Sequence, residues 1–538
     1  MFPHLQEQWK DRDSGNFELQ DIKDFPYDKW QLLKQTYQEA EAWFTGEKLE
    51  KRNTNNIELY PLKINPIINT CLKHAYILFG EPQDDGRPQV YPKLTSTDKT
   101  KKDQIARAEE VLNLVWSQSS GRAMLMEGGI LSQIYGGAIL KVNWDGANRD
   151  KDNPLSQIGL ESVPAPSFYG IPHPSNYYRL KHAWIIKKLE DVQAAALGYT
   201  PVANEDNWFV EYWDEAKFYQ QINGQILERE VNGQIKPFAG RNPWGFVPIV
   251  YVPHVRVGTF IGINTFNHVL GLVKEINLRY ADYGDAVNDD SHANLAGRNI
   301  SSNPQIKEIG GGLNYIDLGS SRNLTGNEPE PDLFEVSKSN KASTAMKDLT
   351  DVLYEQYRRD AAHPSVADGE DEGSQRSGLT IAMRFWPMTS HVGIERYFWT
   401  PALNQINGMI LKILAKKKKA GITTEHTKFL MKQKWAPELP RDREADVQEW
   451  TQRAANNIGA IETLLEATGD IDDVQGERQL ILDWIKDVAK IEAEVAAEAA
   501  QKFPPPVAPG GDGKSTNPKQ KDSKKKSEQS DKTKPNSD

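Results

Sequence analysis

The chain has 538 residues, 26% of them charged and 38% hydrophobic, with a formal net charge of −10. That length can bury a sizeable core and support several packed regions, while the negative balance argues against a protein that coats nucleic acid, which needs a basic footprint. The single cysteine, Cys71, rules out an internal disulfide framework and a cysteine-based zinc centre.

The opening MFPHLQEQWKDRD lacks the apolar core of a signal segment. No apolar run approaches the roughly 18 residues of a bilayer span, so a soluble, intracellular protein with no membrane partner is expected. Pro26-Tyr27-Asp28 reads as a start signal for a helix over Lys29–Thr45, and Asn53–Asn56 as a loop. Leu62–Phe79 is an amphipathic helix with Pro66 near its first turn, where a missing N–H does no harm. Cys71 falls on this helix and reads as a small buried hydrophobe. Residues 80–102 are rich in Pro, Asp and Gly, with a strand candidate over Gln89–Leu94. Helices are expected over Asp103–Trp116 and Ala123–Tyr135, the second stopped by Gly136-Gly137. Ala138–Trp144 alternates as a strand that Asp145-Gly146 turns.

Residues 158–252 carry mostly strand signals, with Asn223-Gly224 and Asn232-Gly233 as tight hairpin turns. A long helix is expected over Phe266–Leu295, interrupted by Gly271 and Gly284. Residues 300–336 turn strand-like again, punctuated by Gly310–Gly312, Pro329 and Pro331. The fold class is therefore α+β, with a β-rich insert at 297–341 bracketed by two long helices. An ordinary hairpin on a helical pair would give the same periodicity.

The second of those helices runs over Thr344–Ala362, with Met346, Leu349, Val352, Leu353 and Tyr357 at helical spacing. His363-Pro364 ends it, because the residue before proline is pushed out of the α region. The segment SVADGEDEGSQRSG follows, with almost nothing apolar to bury and several residues that tolerate irregular backbone. A helical period resumes from Leu379 to Lys419, with Pro387 inside it. An uncovered loop between long helices is costly to keep unless it does something. Pro387 is expected to kink its helix, since proline deletes one backbone bond and clashes with the preceding turn. Lys416–Lys419 complement the negative end of the helix dipole. Further helices are expected over Asp446–Asn457, Ile461–Thr468 and Val474–Ala500. The Pro/Gly/Ser/Lys-rich residues 501–538 cannot offset chain entropy and are expected to be disordered.

Several chemical motifs fail on inspection. Residues 508–515, AlaProGlyGlyAspGlyLysSer, nearly spell a phosphate-binding loop but lack the first glycine, follow no strand and open no helix. His173, His182, His254, His268, His292 and His363 are scattered, and none makes the i, i+4 pair with Glu of a zinc protease. Asp282, Asp285 and Asp289 share a helix face, where a solvated stripe is favoured over a metal site. No catalytic residue, cofactor or metal site is assigned, and the chain is not read as an enzyme.

The helix–loop–helix at 344–419 resembles the tunnel-loop region of tailed-bacteriophage portal proteins, the head-to-tail connectors. Ser377-Gly378 opens the long helix, Pro387 sits in its first third, and Arg396-Tyr397-Phe398 follow. Downstream, Trp435-Ala436-Pro437 and RDREADVQEWTQRAANNIGAIETLLEATG resemble the family's strand exit and helical pair. Weaker matches are Asn65-Pro66-Ile67, Tyr135-Gly136-Gly137-Ala138 and Pro248–Gly262.

The resemblance implies a wing at 1–258, a first stem helix at 259–296, a clip at 297–341 and a second stem helix at 342–362. It continues with a tunnel loop at 363–378, a long kinked helix returning to the wing at 379–440, and a crown at 441–500. The basic tail at 501–538 is either solvated or in loose contact with packaged DNA. As DNA-facing loop residues it implies Ser365, Val366, Ala367, Asp368, Gly369, Glu370, Asp371, Glu372, Gly373, Ser374 and Gln375. It implies Ile306, Lys307, Glu308, Asn314, Tyr315, Asp317 and Arg322 as clip residues meeting terminase and the adaptor. The implied assembly is a homododecamer at one capsid vertex of the virion, built in the host cytoplasm. Its implied partners are double-stranded DNA, the terminase large subunit, a head-completion or adaptor protein and the major capsid protein. Asp368, Glu370, Asp371 and Glu372 would form an acidic collar that repels phosphates, and neutralising all four is expected to spare the fold. Two other readings stay open: a DNA-processing enzyme using a nucleotide site at Lys514, and a capsid or adaptor protein without a channel.

Overall fold

A computed structural model describes residues 25–49, 63–80, 89–146, 153–298, 341–370, 378–436, 443–456 and 474–502, apart from 97, 98, 120, 154, 232, 233, 292 and 293. It also describes Leu19, Ile22, residues 53, 54, 57 and 58, and three strands between 305 and 336. The chain divides into two compact units, 1–446 and 447–538.

Helices and strands mix throughout the first unit. Helix α1 (Tyr27–Thr45) starts without a side-chain cap and ends at Gly46, which is left-handed at φ 82°. Helix α2 (Pro66–Phe79) is better specified: the Asn65 side chain accepts from the Ile67 N–H, and proline takes a first-turn position that needs no N–H. Helices α3 (Lys102–Gln118) and α4 (Gly121–Tyr135) follow. The pair Gly128-Gly129 in α4 lets its neighbours approach closely. A Cβ at Gly128 would lie 3.3 Å from the Trp399 ring, and one at Gly129 3.0 Å from the Phe79 ring.

Strand 137–144 is the centre of a three-stranded antiparallel sheet, between 249–253 and 158–163. A second antiparallel sheet runs in the order 225–226, 217–222, 207–214, 176–189, 168–173, with 239–241 beside 217–222. Short helix α5 (Asp191–Ala196) sits in the connection between two of its strands. Asn223 (φ 46°) and Gly224 (φ 80°) make the tight turn between paired Ile222 and Gln225, as both positive φ values require. Val231 and Gln234 also pair, although the Asn232-Gly233 turn itself lies outside the described residues. A buried ion pair bridges the two sheets: Lys141 Nζ lies 2.6 Å from Glu211, whose other oxygen accepts from Trp213 Nε1 at 2.5 Å. Such a pair is weak evidence for stability, because the cost of desolvating two charges offsets their attraction.

Helix α6 (Leu270–Ser291) runs through Gly271 and Gly284 without interruption and packs against α7 (Lys341–Asp360). The helix expected to reach Leu295 stops earlier. Asn294–Arg298 is instead a strand, captured by pairing with 313–317 on one side and 332–336 on the other. With 305–309 it completes a four-stranded sheet between the two helices in sequence.

Helix α8 (Gly378–Lys417) is 40 residues long and contains both Pro387 and Pro401. Its C-terminal half is core: Trp399, Leu403, Ile406, Ile410 and Leu414 are buried among α3, α4 and strands 137–144 and 249–253. The chain then returns as strand 430–435, paired antiparallel with 90–95. Helix α9 (Arg443–Ala455) crosses the boundary between the units, and α10 (Val474–Lys502) belongs to the second. The helix expected over Ile461–Thr468 and the tail from 503 lie outside the described residues. Among the described residues no helix is long and apolar enough to cross a membrane.

Candidate functional site

The loop that closes α7 is built from backbone and charge rather than apolar packing. The His363 N–H donates to the Arg358 carbonyl at 2.8 Å and the Ala362 N–H to the Arg359 carbonyl at 3.3 Å. This is a Schellman cap, and its left-handed position, usually glycine, is Ala362 at φ 50°. A non-glycine residue there costs about 1 kcal/mol. Ala362→Gly should therefore raise stability by about that amount, read as a higher denaturant midpoint at constant m. An unchanged or lower midpoint would count against the cap.

Pro364 then leads into a 3-10 turn over Ser365–Asp368, closed by Gly369 at φ 80°. Asp368 is the hub. One carboxylate oxygen accepts from Lys73 at 2.7 Å, Asn69 at 2.7 Å and His363 Nε2 at 3.0 Å. The other lies 3.4 Å from Arg358 Nη2. Lys73 also donates to the Ala367 carbonyl. Arg358 holds Glu370 with two bonds, 2.7 and 2.8 Å, and stacks over the Tyr354 ring at 4.8 Å. This is the fork geometry that guanidinium offers and lysine does not.

The electrostatics follow. Burial pushes the Asp368 carboxyl up, but hydrogen bonds from Lys73 and His363 outweigh it and hold it down at about 2. The Glu370 carboxylate holds the Arg358 guanidinium well above its usual range, and Arg358 in turn lowers Glu370. Burial pushes the His363 imidazole down.

Two expectations for this loop change. Residues 365–368 are a half-buried, regular turn rather than irregular backbone. Asp368 is paired rather than a spare surface charge, so neutralising it should cost stability that neutralising exposed acids would not. Glu370 is 55% exposed at its side chain and keeps one face to solvent. Asp371, Glu372, Gly373, Ser374 and Gln375 lie outside the described residues.

Pro387 stands inside α8 with helix on both sides, and hydroxyls cluster around it. Thr389 donates to the Phe385 carbonyl at 3.2 Å and Ser390 to the Pro387 carbonyl at 2.9 Å. The second interior proline, Pro401, was not singled out from the sequence. The N-terminal half of α8 also exposes large apolar side chains: Met383 at 69%, Trp386 at 70%, Ile394 at 48% and Tyr397 at 81%. Their spacing, with Ser390 between, follows the three-and-four step of one helix face.

The suggested clip residues come together on two neighbouring strands. Ile306 pairs with Ile316, Lys307 with Tyr315, Glu308 with Asn314, and Asp317 with Gln305. Arg322 lies outside the described residues. The sequence reading also missed a pair. His391 and Glu395 are four residues apart on α8, the i, i+4 signal sought among other histidines, and the fold brings His74 and His254 to them.

Residues 92–501 match the family described as phage portal protein, SPP1 Gp6-like. No curated protein matches the chain.

Proposed function

The chain belongs to the SPP1 Gp6-like phage portal protein family, and from that membership we propose that identical subunits close into a ring, a dodecamer in the virion, at one capsid vertex. The ring is the passage for double-stranded DNA during packaging and ejection. It is also the docking platform for the terminase large subunit, for a head-completion or adaptor protein, and for the surrounding major capsid protein. The coarser statement, a structural protein of the phage virion that serves genome packaging, follows from the family itself.

The observation that carries the ring reading is the exposed face of α8. A subunit that buries Trp399 and Leu403 in one half of a helix yet leaves Trp386 and Tyr397 uncovered in the other is incomplete alone. A second copy is the partner that this reading supplies. In this reading α6 and α7 form the stem, the four-stranded sheet at 294–336 the clip, and 363–378 the tunnel loop. Residues up to 258 and the return strand 430–435 belong to the wing, and 441–500 to the crown. Within the tunnel loop, Asp368 anchors the base while Glu370 and the following acidic residues face the duplex. The long helix redirects the chain at Pro387. The clip strands 305–309 and 313–317 present Lys307 and Tyr315 to terminase and then to the adaptor.

Native mass spectrometry and negative-stain imaging of the full chain test this. Closed oligomers with a central hole are expected. A lone monomer under all assembly conditions, or particles without a hole, would overturn the reading.

A further inference from the structure

A buried polar cluster lies where α2, α4, α8 and the end of strand 249–253 meet, and a DNA channel has no evident use for it. His74 and Glu395 are fully buried and His254 is 1% exposed, while the His391 side chain is 25% exposed. One ligand atom from each of His74, His391 and Glu395 lies within 4.8 Å of the other two. His254 stands against the same group, with Nε2 3.4 Å from His391 Nε2 and Nδ1 3.5 Å from a Glu395 oxygen. His391 Nε2 is 3.7 Å from the other Glu395 oxygen.

Three atoms of the cluster have no hydrogen-bond partner although they are buried: His74 Nδ1, His254 Nδ1 and Glu395 Oε1. Each is a donor atom of a kind that suits a transition-metal cation. His74 Nε2 lies 3.3 Å from the Ala362 carbonyl, an acceptor only, so Nε2 carries the proton and Nδ1 presents its lone pair. That is the tautomer of a metal-ligating histidine with its outer partner in place. Glu395 is oriented in the same manner. Gln133 Nε2 donates to its Oε2 at 2.8 Å, Thr265 donates to Gln133, and Thr265 also contacts His254 Nε2 at 3.1 Å. The outer shell thus leaves Oε1 free to coordinate.

Imidazole nitrogens with one carboxylate select borderline transition ions over magnesium or calcium, which prefer all-oxygen shells. Zinc–nitrogen bonds of about 2.0–2.1 Å imply ligand–ligand edges of roughly 3.3 Å; His391 Nε2 and Glu395 Oε1 stand 3.7 Å apart, and a ligand atom of His74 lies within 4.8 Å of the same pair of side chains.

We propose that His74, His391 and Glu395, joined by His254, bind one zinc-class divalent transition-metal ion per subunit. The ion ties α2 to α8 and to the strand end, beside the Ala362 carbonyl where α7 stops. The assignment rests on donor chemistry and is independent of the ring reading.

The full-length protein, stripped with a chelator and desalted, is titrated with zinc chloride and separately with cobalt chloride. Wild type should retain one zinc per subunit by elemental analysis, show visible cobalt bands typical of imidazole ligation, and melt at a higher temperature with zinc than without. His391→Gln, chosen because this ligand is the least buried, should weaken zinc at least tenfold and lose the melting shift. His74→Gln should do the same. Should either variant fail to fold, the wild-type cobalt spectrum and stoichiometry decide. Wild type that retains no metal, gives no cobalt bands and no melting shift overturns the proposal. So does a folded His391→Gln variant that binds zinc as wild type does.

Discussion

Replacing Trp386 and Tyr397 together with glutamate should leave a folded subunit that no longer assembles. Both side chains are largely exposed in the isolated chain, at 70% and 81%. Removing them therefore takes little from the subunit's own core, and exposed substitutions usually stay within about 0.5 kcal/mol. Against a neighbouring copy the same residues would be aromatic anchors, the type that dominates interfaces. Each costs about 2 kcal/mol or more when lost, and an acid left in a desolvated contact adds to that. Two anchors per contact make about 4 kcal/mol, roughly a thousandfold in each subunit–subunit association constant. Because a closed ring repeats the contact, the oligomer should vanish at micromolar concentrations. Native mass spectrometry reads the state, and circular dichroism with a melting curve reads the fold. Leu32 on α1 is 68% exposed and lies off this face, so Leu32→Glu is the control. An unchanged oligomer in the double variant, or equal loss in the Leu32 variant, would remove α8 from the interface.

The contrast between the halves of α8 shows what sequence periodicity conveys. The helix was legible from Leu379 onward because apolar residues recur at helical spacing, and so were α2, α4 and the strand before Asp145, each bounded by its own proline, glycine or turn residues. The Asn223-Gly224 hairpin was legible because its backbone tolerates positive φ. Periodicity could not tell which apolar residues of α8 are core and which are uncovered, since that depends on what packs there. It also carried the helix on to Leu295, two residues into the strand Asn294–Arg298, because capture by two strands from later in the chain leaves no local mark.

The loop after α7 was misjudged for a related reason. With nothing apolar to bury it looked free, yet charge holds it, and the partners Asn69 and Lys73 lie on a helix 299 and 295 residues away. The histidine cluster has the same origin. His391 and Glu395 could have been found as an i, i+4 pair, whereas His74 and His254 join them only through the packing of α2 and strand 249–253 against α8.

Asp368→Asn should lower subunit stability by about 2 kcal/mol at neutral pH, and the deficit should disappear in acid. The carboxyl is held at about 2 in the folded chain, against about 3.9 in an unfolded one. A folded value below the unfolded value contributes stability that is complete above the unfolded pKa and is lost as pH falls through the folded one. The window is therefore roughly pH 4 down to pH 2. A shift of nearly two units corresponds to about 2.5 kcal/mol, reduced to about 2 because the carboxylate is partly solvated. Asparagine retains one acceptor oxygen but no charge, so it leaves Lys73 and Arg358 facing a neutral amide. Arg358 still has Glu370, which limits the damage on that side. The groups facing Asp368 are Lys73, Asn69, His363 and Arg358, and all remain in the variant. Urea melts of both proteins at pH 7, 4 and 2.5 give the test. The gap between them should be full at pH 7 and should narrow steadily toward pH 2.5. A gap that stays constant with pH would mean that asparagine disturbs packing rather than charge, and that the loop base is not held by the ion network.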